Sequence, residues 1–97
     1  MATYISLINW TDQGIRNFSD TLQRSDHAKA LAQRMGGTIA HIYWTVGQYD
    51  LVTVAEFPDD ETGTAFLLAL GSQGSVRTTT LRAYDADEVA GIIGKVS

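Results

Sequence analysis

The stretch Thr38 to Phe57, TIAHIYWTVGQYDLVTVAEF, decides the fold of this 97-residue chain. Two runs rich in β-branched and aromatic residues, Thr38 to Val46 and Leu51 to Phe57, are separated only by Gly47-Gln48-Tyr49-Asp50. That is a hairpin connection, with a glycine available for a positive φ. Along the second run Leu51, Ala55 and Phe57 alternate with Val52 and Val54, so both faces of the strand are apolar. An antiparallel strand with one wet face alternates apolar with polar instead. A covering layer is therefore expected on each side.

Towards the N-terminus, the apolar positions Ile15, Phe18 and Leu22, then Ala28, Leu31 and Met35, follow a helical stripe from Gln13 to Met35. The stripe lapses over Gln23 to His27, where a bend is expected, with Ser25 capping the second segment. Gly36-Gly37 closes the helix. Before it, Thr3 to Trp10 is a strand whose faces are Tyr4, Ser6, Ile8, Trp10 and Thr3, Ile5, Leu7, Asn9.

Towards the C-terminus, Pro58-Asp59-Asp60-Glu61 has the form of a helix start, and the helix carries Ala65, Phe66, Ala69 and Leu70. Gly71-Ser72-Gln73-Gly74 ends it, and the Thr-rich Ser75 to Tyr84 is a fourth strand. After the capping acids Asp85 and Asp87, the residues Val89, Ile92, Ile93 and Val96 fit a last amphipathic helix. Gly91 and Gly94 each cost it about 1 kcal/mol relative to Ala, so it must lean on something.

The order is β-α-β-β-α-β with a terminal helix, an α+β chain of ferredoxin-like topology with a four-stranded antiparallel sheet. No linker or repeat interrupts it, and residues 1–97 are expected to form a single domain. The first and third strands belong in the middle, and two helices cover only one sheet face. The other face is expected to meet a second copy, making a homodimer of facing sheets.

Composition narrows the function. Net charge is −4 and charged residues are 19% of the chain, against about 25% in average usage. This acidic balance is unsuited to displacing counterions from phosphate, so no nucleic acid is expected as partner. No membrane partner is expected either, since no apolar run nears a spanning length and Met1-Ala2-Thr3-Tyr4 is no basic leader. A cytoplasmic location is the expectation. Cysteine is absent and there are two histidines, His27 and His41, so neither a metal nor another cofactor is expected. The low charge also suits a surface partly covered by another copy.

Tyr4 to Ile15, Ile42 to Asp50 and Gly71 to Thr78 together resemble the GYD domain family, small proteins of the dimeric α/β-barrel superfamily. The likeness spans nearly the whole chain. It implies a ferredoxin-like protomer whose sheet pairs with a second sheet into a barrel, and it implies no particular reaction. Gly47-Gln48-Tyr49-Asp50 and Ser75 to Thr80 also resemble the G-x-Y-D and G-V-x-x-T-x-T elements of the effector-binding domain in leucine-responsive (Lrp/AsnC-type) regulators. In those proteins the elements help form a small-molecule site where dimers meet. The present chain has Gly74-Ser75-Val76 in place of Gly-Val, and with its first strand starting at about Thr3 no DNA-binding helix-turn-helix is expected.

These patterns nominate Gly47, Tyr49, Asp50, Arg77 and Thr78 as ligand-binding residues. The competing reading of the hairpin is structural: Gly47 permits the turn, Asp50 bonds backbone amides and Tyr49 packs across it. His41 and Tyr43 share a strand face and are candidates for proton transfer. Asn9, His41 and Trp44 are similar in type to the Asn/Trp/His sets of monooxygenases in the same superfamily, though Trp44 lies on the opposite strand face from His41. Arg77 and Arg82 fall on opposite faces of the fourth strand, suited to an anionic ligand or to a salt bridge. The function expected is a homo-oligomeric module that binds or senses a small organic molecule. The alternatives are a dimeric-barrel enzyme using His41, Tyr43 or Asn9, by acid/base or cofactor-free oxygenase chemistry, and a structural assembly unit.

Overall fold

The computed structural model describes residues 1–96. Its elements run β1 (Ala2–Trp10), α1 (Asp12–Arg16), a 3₁₀ turn (Phe18–Asp20), α2 (Thr21–Arg34), β2 (Thr38–Trp44), β3 (Leu51–Phe57), α3 (Asp60–Ser72), β4 (Val76–Ala83) and α4 (Ala86–Gly94). The strands form one antiparallel sheet in the order β2-β3-β1-β4. This is the α+β, ferredoxin-like order expected from the hairpin outward, with β1 and β3 in the centre.

Register sorts the side chains onto two faces. Tyr4, Ser6 and Ile8 stand beside Ala55, Thr53 and Leu51 on one side and Arg82, Thr80 and Thr78 on the other. This inner face lies under α2 and α3, and the core forms there from Ala2, Tyr4, Ala32, Ala55, Phe57 and Phe66. Phe57 is its centre: its ring lies 5.0 Å from that of Phe66 and 6.3 Å from that of Tyr4. Among the described residues Ser6 is the one buried polar residue outside the apolar cluster, and it shares a 2.9 Å hydrogen bond with the Thr80 hydroxyl.

The outer face is also apolar. Ile5 stands between Val54 and Leu81, and Leu7 between Val52 and Thr79. Ile5, Leu7, Val52 and Val54 stay half-exposed and Leu81 is exposed, because α2 and α3 both lie on the opposite side of the sheet. The two-faced apolarity of the central strands is thus real, with one face covered inside the protomer. The radius of gyration is 14.5 Å, against about 12.5 Å for a compact chain of this length. The molecule is elongated.

Several local expectations are corrected. The first helical region breaks at Asn17 and the 3₁₀ turn, and α2 runs unbroken through Gln23 to His27. Asn17 leaves helical geometry at φ −108°, ψ 37°, while its side-chain amide donates to the Gln13 carbonyl at 3.0 Å. Ser25 caps nothing; its hydroxyl donates to the Leu22 carbonyl at 2.8 Å. Within the polar run Gln23, Asp26 and His27 are exposed to solvent, while Arg24 and Ser25 are half-buried. Of the expected stripe, Ile15, Phe18 and Leu22 are exposed. In α3, Ala65 is exposed, and Gly63, Phe66, Leu67 and Leu70 face the sheet.

β2 carries an irregularity between Ile39, which pairs with Ala55, and His41, which pairs with Val54. Such a bulge puts two residues opposite one and reverses the alternation. Ile39 and Ile42 therefore both turn inward. His41 and Tyr43 share the outer face as expected, and the bulge leaves Ile39 on the inner one. Both caps expected of acids hold: Asp59 accepts from Thr62 N, and Asp85 and Glu88 form a reciprocal capping box at α4. Asp87 lies in the first turn of α4 and is not its cap.

Candidate functional site

A cavity of about 70 Å³ lies between the inner sheet face and the helices, several times the ~10–15 Å³ that admits one water. Its apolar walls include Ile8, Ile42, Leu51, Phe66 and Leu70. Polar groups gather in its lining as well: Thr21, Arg24 and Ser25 from α2, Gln73 and Ser75 from the α3–β4 loop, and Trp10 at the end of β1.

The surroundings of that end are held by backbone bonds. Thr11 donates its backbone N–H to the Ser75 carbonyl at 3.1 Å and its hydroxyl to the Gly74 carbonyl at 2.6 Å, and its hydroxyl accepts from Gly14 N. The Arg24 guanidinium is positioned by donating to the carbonyls of Asn17 at 2.9 Å and Gly14 at 3.3 Å. With five N–H groups, it retains donors beyond those two bonds. The arrangement suits a small molecule with an apolar body and an acceptor group.

The hairpin residues are tied into the fold. Asp50 accepts from Trp10 N at 2.8 Å through Oδ2, donates its own N–H to the Ile8 carbonyl at 2.8 Å, and accepts from Thr45 N at 2.8 Å through its carbonyl. It pins the end of β1 to the hairpin. The Tyr49 carbonyl accepts the Thr45 hydroxyl at 2.6 Å. Gly47 adopts φ +130°, a conformation only glycine takes without strain.

Arg77 and Thr78 do not join the hairpin. With Asn9 they line a shallow groove bounded by Thr11, Gly71 and Gly74, Arg77 standing opposite Asn9 in the sheet. His41 and Tyr43 stack on the outer face with centroids 6.0 Å apart and planes within 9°. By register, these two rings and Asn9 are separated from the cavity by the thickness of the sheet. Trp44 points the other way, and its indole donates to the Thr21 hydroxyl at 3.0 Å.

A further cluster carries the largest electrostatic perturbation. The Tyr4 hydroxyl donates to Asp60 Oδ1, and Arg82 Nε meets the same oxygen at 3.2 Å. The Arg82 guanidinium lies 5.6 Å from the centre of the Tyr4 ring and 4.4 Å from that of Tyr84. Desolvation, the bond to Asp60 and the Asp60 charge push the Tyr4 phenol up to about 12, against the opposing pull of Arg82. Arg82 thus takes the salt-bridge alternative.

Sequence reasoning missed the polar part of the cavity. Arg24 and Ser25 fall in the segment expected to bend, with Thr21 shortly before it, and only the continuous α2 places all three along the cavity. It also missed Asp60 as the acid that joins Tyr4 and Arg82, since the helix start explains that residue on local grounds alone. Among the described residues no group of three or more potential ligands is placed to hold a metal ion.

The model of the GYD domain matches residues 4–93. The chain belongs to the GYD domain family. A curated relative from Thermus thermophilus, the "Glutamine synthetase and cystathionine beta-lyase binding protein", is 35% identical over 92 residues, covering 93% of this chain and 97% of the relative. The crystal structure of TTHA0845 from the same organism is similar with a TM-score of 0.56 at 26% identity, over 89% of this chain and 96% of that one. For this GYD protein, the match takes in the hairpin, the cavity and the outer face.

Proposed function

We propose that this GYD protein is a homodimeric binding protein: two protomers packed sheet to sheet as a dimeric α/β barrel, docking on metabolic enzymes and holding a small organic molecule between sheet and helices. The observation that carries the reading is the outer sheet face. Ile5, Leu7, Val52, Val54 and Leu81 form a contiguous apolar surface on the two central strands and β4, without a layer of the protomer over it. Contiguous exposed apolar patches on soluble proteins mark interaction sites.

The relative's name supports a binding role, so a glutamine synthetase and a cystathionine β-lyase are the first partners to test. A cytoplasmic location belongs to this reading, as that is where such enzymes would be met. Biolayer interferometry of the immobilised protein against both enzymes from its own source should show saturable binding of at least one. Failure of both to bind overturns the docking role.

The cavity supports the small-molecule part. A thermal-shift screen against amino acids, nucleotides and aromatic metabolites should give a ligand whose stabilisation is lost in Arg24→Ala. A screen without any stabilising compound removes that part of the reading.

A further inference from the structure

We propose that α4 of each copy packs on the partner copy and completes the interface that the sheet faces begin; the inference rests on the homodimer reading above. The helix is fully formed at its start: Asp85 Oδ1 accepts from Glu88 N at 2.8 Å and Glu88 Oε1 accepts from Asp85 N at 3.0 Å. Yet none of its residues is buried, and Val89, Ile92 and Ile93 expose 39%, 41% and 62% of their surface. Isolated helices shorter than about 12–15 residues are marginal in water, and Gly91 weakens this one further. It needs a covering surface.

Interface area decides whose surface that is. With strands about 4.8 Å apart and rows running from Thr3 to Asn9, the outer face measures roughly 19 by 20 Å, or about 400 Å². Two such faces in contact bury about 800 Å², the scale of an incidental contact, whereas stable interfaces bury about 1,200–2,000 Å². Nine helical residues are about 13.5 Å long and about 10 Å wide. One helix from each copy laid on the other, counting both surfaces of each contact, adds about 500 Å² and brings the total into the stable class.

A second copy is the occupant that accounts for the sheet face and the helix together. Twofold symmetry makes the exchange reciprocal, so each copy gives one helix and receives one. Two residues separate the helix from β4, whose outward Leu81 and Ala83 lead the apolar surface of the sheet towards it.

The test uses the full chain and the double variant Ile92→Asp, Ile93→Asp, followed by sedimentation equilibrium from about 1 to about 100 µM. Hydrogen exchange of the α4 amides is read at both ends of that range. The native chain should dimerise, with α4 amides slow in the dimer and fast on dilution. The variant should keep its circular dichroism and dimerise about 100-fold more weakly, two anchors at about tenfold each. A variant that dimerises as well as the native chain, or α4 amides that stay slow in dilute monomer, overturns the exchange and leaves the sheet-to-sheet dimer standing. A native chain that is monomeric throughout overturns the homodimer reading itself.

Discussion

Tyr4 shows how one side chain is committed by its neighbours. Its ring is part of the core, so its hydroxyl needs a partner at the core's edge, and Asp60 supplies one while Arg82 offsets the charge. The phenol is held protonated up to about 12, above its ordinary 10.0. A group whose pKa is raised on folding stabilises the fold in full below its unfolded value and loses that contribution as pH rises through the folded one. Stability should therefore be flat to about pH 9.5 and fall by about 1–3 kcal/mol as the pH approaches 12. Urea melts at stepped pH check this, and Tyr4→Phe should flatten the fall. Asp59 works in the opposite direction: its bonds from Thr62 lower its carboxyl pKa, so its support of α3 is present above the ordinary aspartate range and lost in acid. Asp50 is the other committed residue. Asp50→Ala leaves Trp10 N without its acceptor and should lower stability by about 1–3 kcal/mol, read as a drop in Tm. Unchanged stability would return Asp50 to the ligand-binding candidates.

Elements differ in how far local sequence governs them. The caps at Asp59 and Asp85 and the hairpin at Gly47 are legible because each needs only residues a few positions apart. The bulge in β2 is not, since Ile39 and His41 carry no local mark of it and the pairing with β3 creates it. The helix break is likewise tertiary: Arg24 ties back to Asn17 and Gly14, and Gly14 itself lies against the α3–β4 loop. A Cβ at Gly14 would stand 2.0 Å from the Ser75 carbonyl oxygen, which is already bonded to Thr11 N. Gly14→Ala should cost about 1–3 kcal/mol in a urea melt. Gly71→Ala, in α3 with no atom within 4 Å of the new methyl, should instead stabilise by about 0.5–1 kcal/mol.

For the whole molecule, the proposed assembly turns on the outer face. Val54 lies in its middle, flanked by Ile5 and His41. Val54→Lys should weaken dimerisation at least about tenfold while the protomer keeps its melting behaviour, since the core lies on the other side of the sheet. Light scattering that shows the same mass for variant and native chain would refute sheet-to-sheet packing.

The sequence by itself determined the order of elements, the central place of β1 and β3, and the presence of two apolar faces on those strands. Periodicity and turn chemistry are local, and they survive whatever the chain packs against. Only the tertiary structure decided that α2 and α3 cover the face of Tyr4, Ser6 and Ile8, that the bulge turns Ile39 and Ile42 inward together, and that Thr21, Arg24 and Ser25 meet Gln73 and Ser75 around one cavity. An apolar stripe reports that a face avoids water. Which surface takes water's place depends on contacts between residues far apart in the chain.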